Sequence, residues 1–150
     1  IDTSPFPIVH LATHGKFSSK LEETFLVTWD GQIDIEHLNQ LLQDRTRKAD
    51  KALELLILSA CETARGDKRA ALGLAGMAVR AGARSTIASL WSVDDEATAS
   101  FMTALYKNLA DKNSTNKAEA LRQAQIALLG DLQLNHPYFW APFVLLGNWL

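Results

Sequence analysis

Two side chains in this sequence could do covalent chemistry together: the lone cysteine, Cys61, and the imidazole of His14, which is followed directly by Gly15. A thiol attacks carbonyl carbon as its thiolate, and a neighbouring imidazole either stabilises that ion or takes its proton. Gly15 offers a backbone N–H that no side chain obstructs, and with the N–H of Cys61 it would make a two-donor oxyanion hole. Each residue alone also has an ordinary reading. A cysteine closing an apolar strand can be a small hydrophobe, and a histidine before glycine can be a turn residue. What separates these readings is whether the elements that carry the two residues end side by side.

The apolar run 6–12 is closed by Thr13-His14-Gly15, the pattern of a buried strand running into a turn. Residues 53–60 contain Leu55-Leu56-Ile57-Leu58 without polar alternation, which fits a central parallel strand covered on both faces and ending at Ser59-Ala60-Cys61. Residues 85–91 form a third strand. Parallel neighbours lie about 5 Å apart, so side chains leaving the ends of adjacent strands can meet above the sheet. Ligands of open parallel sheets bind beyond those carboxyl ends. That rule singles out Thr13-His14-Gly15, Ala60-Cys61-Glu62 and Leu90-Trp91-Ser92.

The remaining chain supplies the crossovers. Residues 25–29 read as a strand entering a hairpin at Asp30-Gly31, and Asp34 can cap a helix with Ile35, Leu38, Leu41 and Leu42 on one face. Basic residues Arg45, Arg47 and Lys48 suit the negative end of that helix. A polar loop at 62–69 precedes a small-residue helix near 74–81 that stops at Gly82. Ser92-Val93-Asp94-Asp95 resembles a capping box for a helix carrying Phe101, Leu105 and Leu109, and Asn116 with Glu119 opens another through Leu121, Ala124 and Leu128 to Gly130. A mobile surface loop is expected at 111–115, and residues 143–146 close the chain as a strand. The fold class is therefore α/β: three layers, with a mostly parallel sheet and helices on both faces.

At 150 residues and 47% hydrophobic content, the chain is the size of one domain with a substantial core, so residues 1–150 are read as a single domain. A net charge of -2 without a basic stripe argues against nucleic acid as a partner. No run approaches the roughly 20 apolar residues of a bilayer span, and no membrane partner is expected. One cysteine makes no internal disulfide, no Cys/His cluster has zinc spacing, and a reducing cytoplasm fits best. Gly73-Leu74-Ala75-Gly76 lacks the strand and turn of a phosphate loop, so no nucleotide or other cofactor is expected.

Four ordered strings, His10-Leu11-Ala12-Thr13-His14-Gly15, Leu58-Ser59-Ala60-Cys61-Glu62-Thr63-Ala64, Ala88-Ser89-Leu90-Trp91-Ser92-Val93-Asp94-Asp95 and His136-Pro137-Tyr138-Phe139-Trp140-Ala141-Pro142-Phe143, together resemble the CHAT-domain family. Those are caspase-like cysteine peptidases of the clan that holds caspases, separase, metacaspases and gingipains, often fused to tetratricopeptide repeats. The resemblance covers nearly the whole chain. It implies His14 as general base, Cys61 as nucleophile, and the Gly15 and Cys61 amides as oxyanion donors. It also implies that Ser89, Leu90 and Trp91 pair with the substrate backbone and that Ser59 lines the pocket for the side chain before the scissile bond. An acidic pocket would come from Asp94 or Asp95, whose other role is to serve the first turn of a helix. Related peptidases are activated by calcium or by a partner.

Other candidates have quieter readings. His10 shares a strand face with His14 and is expected to pack or support, His37 and the group Arg65, Lys68 and Arg69 to be solvated, Glu62 to be a loop carboxylate, and Trp140 and Phe143 to be core. The resemblance also implies two further strands before the first one here, which are missing. The strand at 6–12 would then be an open edge, a template for a second copy or for another segment, and the activity of the piece alone is in question. The functional reading is a cysteine endopeptidase acting on peptides or proteins. Its alternatives are a non-catalytic module that binds peptides or a repeat-domain partner, and a cysteine hydrolase of small amides.

Overall fold

The computed structural model describes residues 6–16, 18, 21–48, 52–59, 75–92, 94–111 and 116–150. Cys61, the loop expected at 62–69 and residues 112–115 of the expected surface loop lie outside the described residues. The chain divides into two compact units, residues 1–92 with 146–148, and residues 93–145 with 149–150. In chain order the first unit runs β1 (Ile8–Leu11), β2 (Gly15–Lys16), a 3-10 turn at Leu21–Glu23, β3 (Phe25–Thr28), β4 (Gly31–Asp34), α1 (Ile35–Lys48), β5 (Leu55–Leu58), helical residues 75–80 (α2) and β6 (Ser85–Ser89). The second carries α3 (Asp95–Ala110), α4 (Lys117–Leu129), α5 (Pro137–Trp140) and the start of β7 (Phe143–Gly147).

The apolar runs form the sheet the sequence calls for. β1 pairs in parallel with β5 and β5 in parallel with β6, and the sheet order is β1-β5-β6-β7. All of Leu55–Leu58 is buried, as its unbroken apolar run requires of a central strand. Leu56, Leu58 and Ala88 face a core shared with Ile35, Leu38 and Leu42 of α1 and with Ala75, Met77 and Ala78 of α2. On the opposite face Leu55, Ile57 and Ile87 are equally buried. The fold is mixed α/β on a mostly parallel sheet, as expected.

Both crossover helices end as their sequences indicate. The Asp34 carboxylate accepts the His37 N–H at 2.7 Å and caps α1. Gly82, at φ 110°, ends α2 in a Schellman motif, with the Ala83 N–H on the Ala78 carbonyl at 3.1 Å and the Gly82 N–H on the Val79 carbonyl at 3.2 Å. The buried Arg45 near the end of α1 reaches back through Nη2 to the Phe6 carbonyl, tying the helix to the lead-in of β1. Gly147, at φ 95°, brings the end of β7 against the start of β6, and the Asn148 N–H donates to the Arg84 carbonyl at 2.8 Å.

The expected hairpin belongs to a second sheet whose third strand the sequence reading missed. β2, β3 and β4 form an antiparallel sheet in that order. β2 is two residues long and has no apolar period that marks a strand; β4 turns only Ile33 inward and is signalled by the turn alone. The hairpin turn falls on Trp29-Asp30, one residue earlier than Asp30-Gly31, because Gly31 already pairs with Thr28.

In the second unit, α3 buries Ala97, Phe101, Met102 and Leu105, and α4 buries Ala120, Leu121, Ala124 and Leu128. Phe143 stacks on Phe101 with ring centroids 3.8 Å apart, and Gln125 donates to the Phe143 carbonyl at 3.1 Å. Asn116 caps α4 by accepting the Glu119 N–H at 2.8 Å, as expected. The cap of α3 is Asp94 and not Ser92: its Oδ1 accepts the N–H groups of Glu96 and Ala97, each at 3.0 Å. His136 Nδ1 accepts the Tyr138 N–H at 3.2 Å and Pro137 opens α5, so the His136-Pro137 pair starts a short helix.

Candidate active site

The three parallel strands finish at one edge. Leu11 stands opposite Leu58, and Leu58 opposite Ala88. The segments beginning at Ala12, Ser59 and Leu90 therefore leave the sheet from the same carboxyl end, where α/β sheets hold their ligands. His14, Ser59, Ser89, Leu90 and Trp91 all belong to this end of the first unit. Cys61 lies outside the described residues.

Beyond β1 the chain passes into the antiparallel sheet, and two hydrogen bonds hold the passage. Thr13 Oγ1 donates to the Val27 carbonyl at 2.7 Å, and the Val27 N–H donates to the His14 carbonyl at 2.8 Å. The backbone on either side of the His14 ring is thus anchored while the residue itself is exposed. Gly15 is buried opposite Leu26. Because the Val27 N–H reaches His14, Gly15 and Leu26 are a non-hydrogen-bonded pair of the ladder, and the Gly15 N–H is directed away from β3.

A side-chain bridge joins the same two strand ends. His10 Nε2 and Ser59 Oγ share a hydrogen bond at 2.6 Å, beside the backbone bond from the Ser59 N–H to the Leu11 carbonyl at 3.2 Å. His10 stands opposite Ile57, so alternation puts Ser59 on the same face of the sheet. Burial pushes the His10 imidazole below its ordinary pKa of 6.5, because desolvation disfavours the cation. The ring is therefore neutral at pH 7. Next to this junction, Leu11, Thr13, Leu26, Val27, Ile33 and Leu38 line most of a cavity of about 220 Å³.

The remaining expected residues are less alike. Ser89 is buried, Leu90 and Trp91 are half-buried, and Asp94 and Asp95 are exposed in the second unit. The Asp94 carboxylate is engaged as the α3 cap, which accounts for its position without a substrate. Phe143 is buried, in keeping with a core role, whereas Trp140 is half-buried and donates its ring N–H to the Asn135 carbonyl at 3.1 Å. Sequence reasoning gave His10 a packing or supporting role without naming Ser59 as its partner. Only the β1–β5 register makes the two neighbours, and their separation in sequence carries no signal of it.

A parallel sheet with a histidine-bearing turn and a serine-bearing segment at one carboxyl edge defines an α/β protein of the kind whose chemistry sits beyond its strand ends. Residues 1–148 match the CHAT domain, and the chain belongs to the CHAT-domain family. That family is related to caspase-like peptidases, which fits the general kind of protein read from the sequence. No curated protein matches the chain. Among the described residues, no helix is long and apolar enough to cross a membrane.

Proposed function

We propose that the chain is a cysteine endopeptidase domain spanning residues 1–150, in which His14 activates Cys61. The observation that carries the reading is the register of the parallel pair. Leu11 is opposite Leu58, and His14 and Cys61 each come three residues later, on the two segments that leave the same edge. His14 takes the thiol proton, the sulfur adds to the scissile carbonyl, and the Gly15 and Cys61 amides hold the oxyanion. The imidazolium then protonates the leaving amine, and water, deprotonated by His14, hydrolyses the thioester to free acid and thiol. The outward-directed Gly15 N–H supports its part in this scheme.

In this reading Ser89, Leu90 and Trp91 pair with the substrate backbone, and Ser59 lines the pocket for the side chain before the scissile bond. Of the two acidic candidates, Asp94 and Asp95, the first has its carboxylate engaged as the α3 cap. Substrates are peptides or proteins, the setting is a reducing cytoplasm, and a tetratricopeptide-repeat region is the expected companion in the parent chain. A second reading, a non-catalytic peptide- or partner-binding module, would use β1, an edge strand among the described residues.

Alkylation by iodoacetamide across pH separates the two readings. Cys61 is expected to react below the roughly 8.5 of a free thiol, with a profile that changes in His14→Ala. Free-thiol behaviour in both proteins favours the binding module. A peptide panel with Arg, Lys, Leu, Met or Asp before the scissile bond then defines the pocket.

A further inference from the structure

We propose that His10 is a positioning residue for the His14 and Cys61 pair, acting through its hydrogen bond to Ser59. The proposal rests on the peptidase reading above. His10 lies four residues before His14, and Ser59 two residues before Cys61. Their 2.6 Å bond links the strand leading to the base with the segment leading to the nucleophile. The adjacent backbone rung, from Ser59 to Leu11, is longer at 3.2 Å, the far end of the normal range for N–H···O bonds. At this edge the side-chain bond is the closer tie, and it sits on the last turn of chain before both reactive residues.

Its surroundings suit that task. His10 is half-buried, and desolvation favours its neutral form, so the hydrogen bond it shares with the hydroxyl brings no charge to this strand end. Displacement of a reacting group by about 1 Å costs on the order of 100-fold in rate. Releasing Ser59 removes this tie at the start of the segment that leads to Cys61. The proposed role is positional, exercised through Ser59.

The test is a double-mutant cycle on the full chain, with the pH profile of Cys61 alkylation by iodoacetamide as readout. His10→Ala is expected to slow alkylation at pH 7 about tenfold and to move its midpoint toward that of a free thiol. Ser59→Ala should do the same, and the double variant no more than either single one. His10→Gln, whose amide can reach Ser59, should restore most of the parent profile, and thermal midpoints should stay within a few degrees of the parent. Additive effects, an unchanged profile, or losses that follow the thermal midpoint without rescue by Gln each overturn the inference. His14→Ala in the same assay keeps the two claims apart. If the thiol depends on His14 but not on His10, the inference alone fails; if it behaves as a free thiol in the parent, the peptidase reading fails and takes the inference with it.

Discussion

Gly147→Ala should be among the most damaging single-methyl additions in this chain. Its backbone is in the left-handed region, at φ 95°, and a Cβ built there collides with the Arg84 carbonyl oxygen. That oxygen also accepts the Asn148 N–H at 2.8 Å, so relieving the clash moves the partner of a backbone bond that holds β7 against the start of β6. Strain at a positive φ costs about 1–3 kcal/mol, and a lost backbone bond about 1 kcal/mol. Together these give about 2–4 kcal/mol, or roughly 5–15 °C in midpoint for a protein of this size. Thermal unfolding followed by circular dichroism measures it. Gly76→Ala is the control: it lies in α2, its Cβ meets nothing within 4 Å, and alanine is the better helix former by about 1 kcal/mol. A Gly147→Ala midpoint within about 2 °C of the parent, or an equal loss in Gly76→Ala, would refute the reasoning.

Three further outcomes are expected. The folded-state pKa of His10 lies below 6.5, so below that pH the unfolded chain takes up a proton that the folded chain resists, and stability falls as pH drops toward the folded value. His10→Gln should flatten this segment of an unfolding-against-pH curve, and equal slopes in the two proteins would contradict it. Hydrogen bonds from Arg122 and Gln123, with the Arg122 charge, hold the Glu119 carboxyl at about 2, down from 4.5. The help this exposed contact gives α4 is present above pH 4.5 and is lost as pH falls through 2, so Glu119→Gln should remove a small acid-dependent loss of helicity. Asp94→Ala should cost about 1 kcal/mol as a lost cap. Asp94→Asn, which can still cap, should be near neutral and leave the ratio of cleavage after Arg and after Leu unchanged; a fall in that ratio would return Asp94 to the pocket.

The sequence by itself determined the elements whose signals are local. The unbroken Leu55-Leu56-Ile57-Leu58 run announces a central strand, Asp34 and Asn116 announce helix starts, and Gly82 announces a stop, because burial period, capping chemistry and left-handed backbone are each written in a few neighbouring residues. It also named the strand end bearing His14, through the turn that interrupts an apolar run. It indicated the β3–β4 hairpin through its turn residues but missed β2, which is too short to show a period and exists because β3 offers it a ladder. It chose Ser92 over Asp94 as a cap, since several polar residues in a row can compete for one helix start and only the backbone path decides among them. Above all, tertiary structure decided register. That His10 meets Ser59, and that the Gly15 N–H turns away from β3, follow from which residues of distant segments stand opposite one another. A shift of one residue would send every side chain to the other face without changing the sequence of either strand.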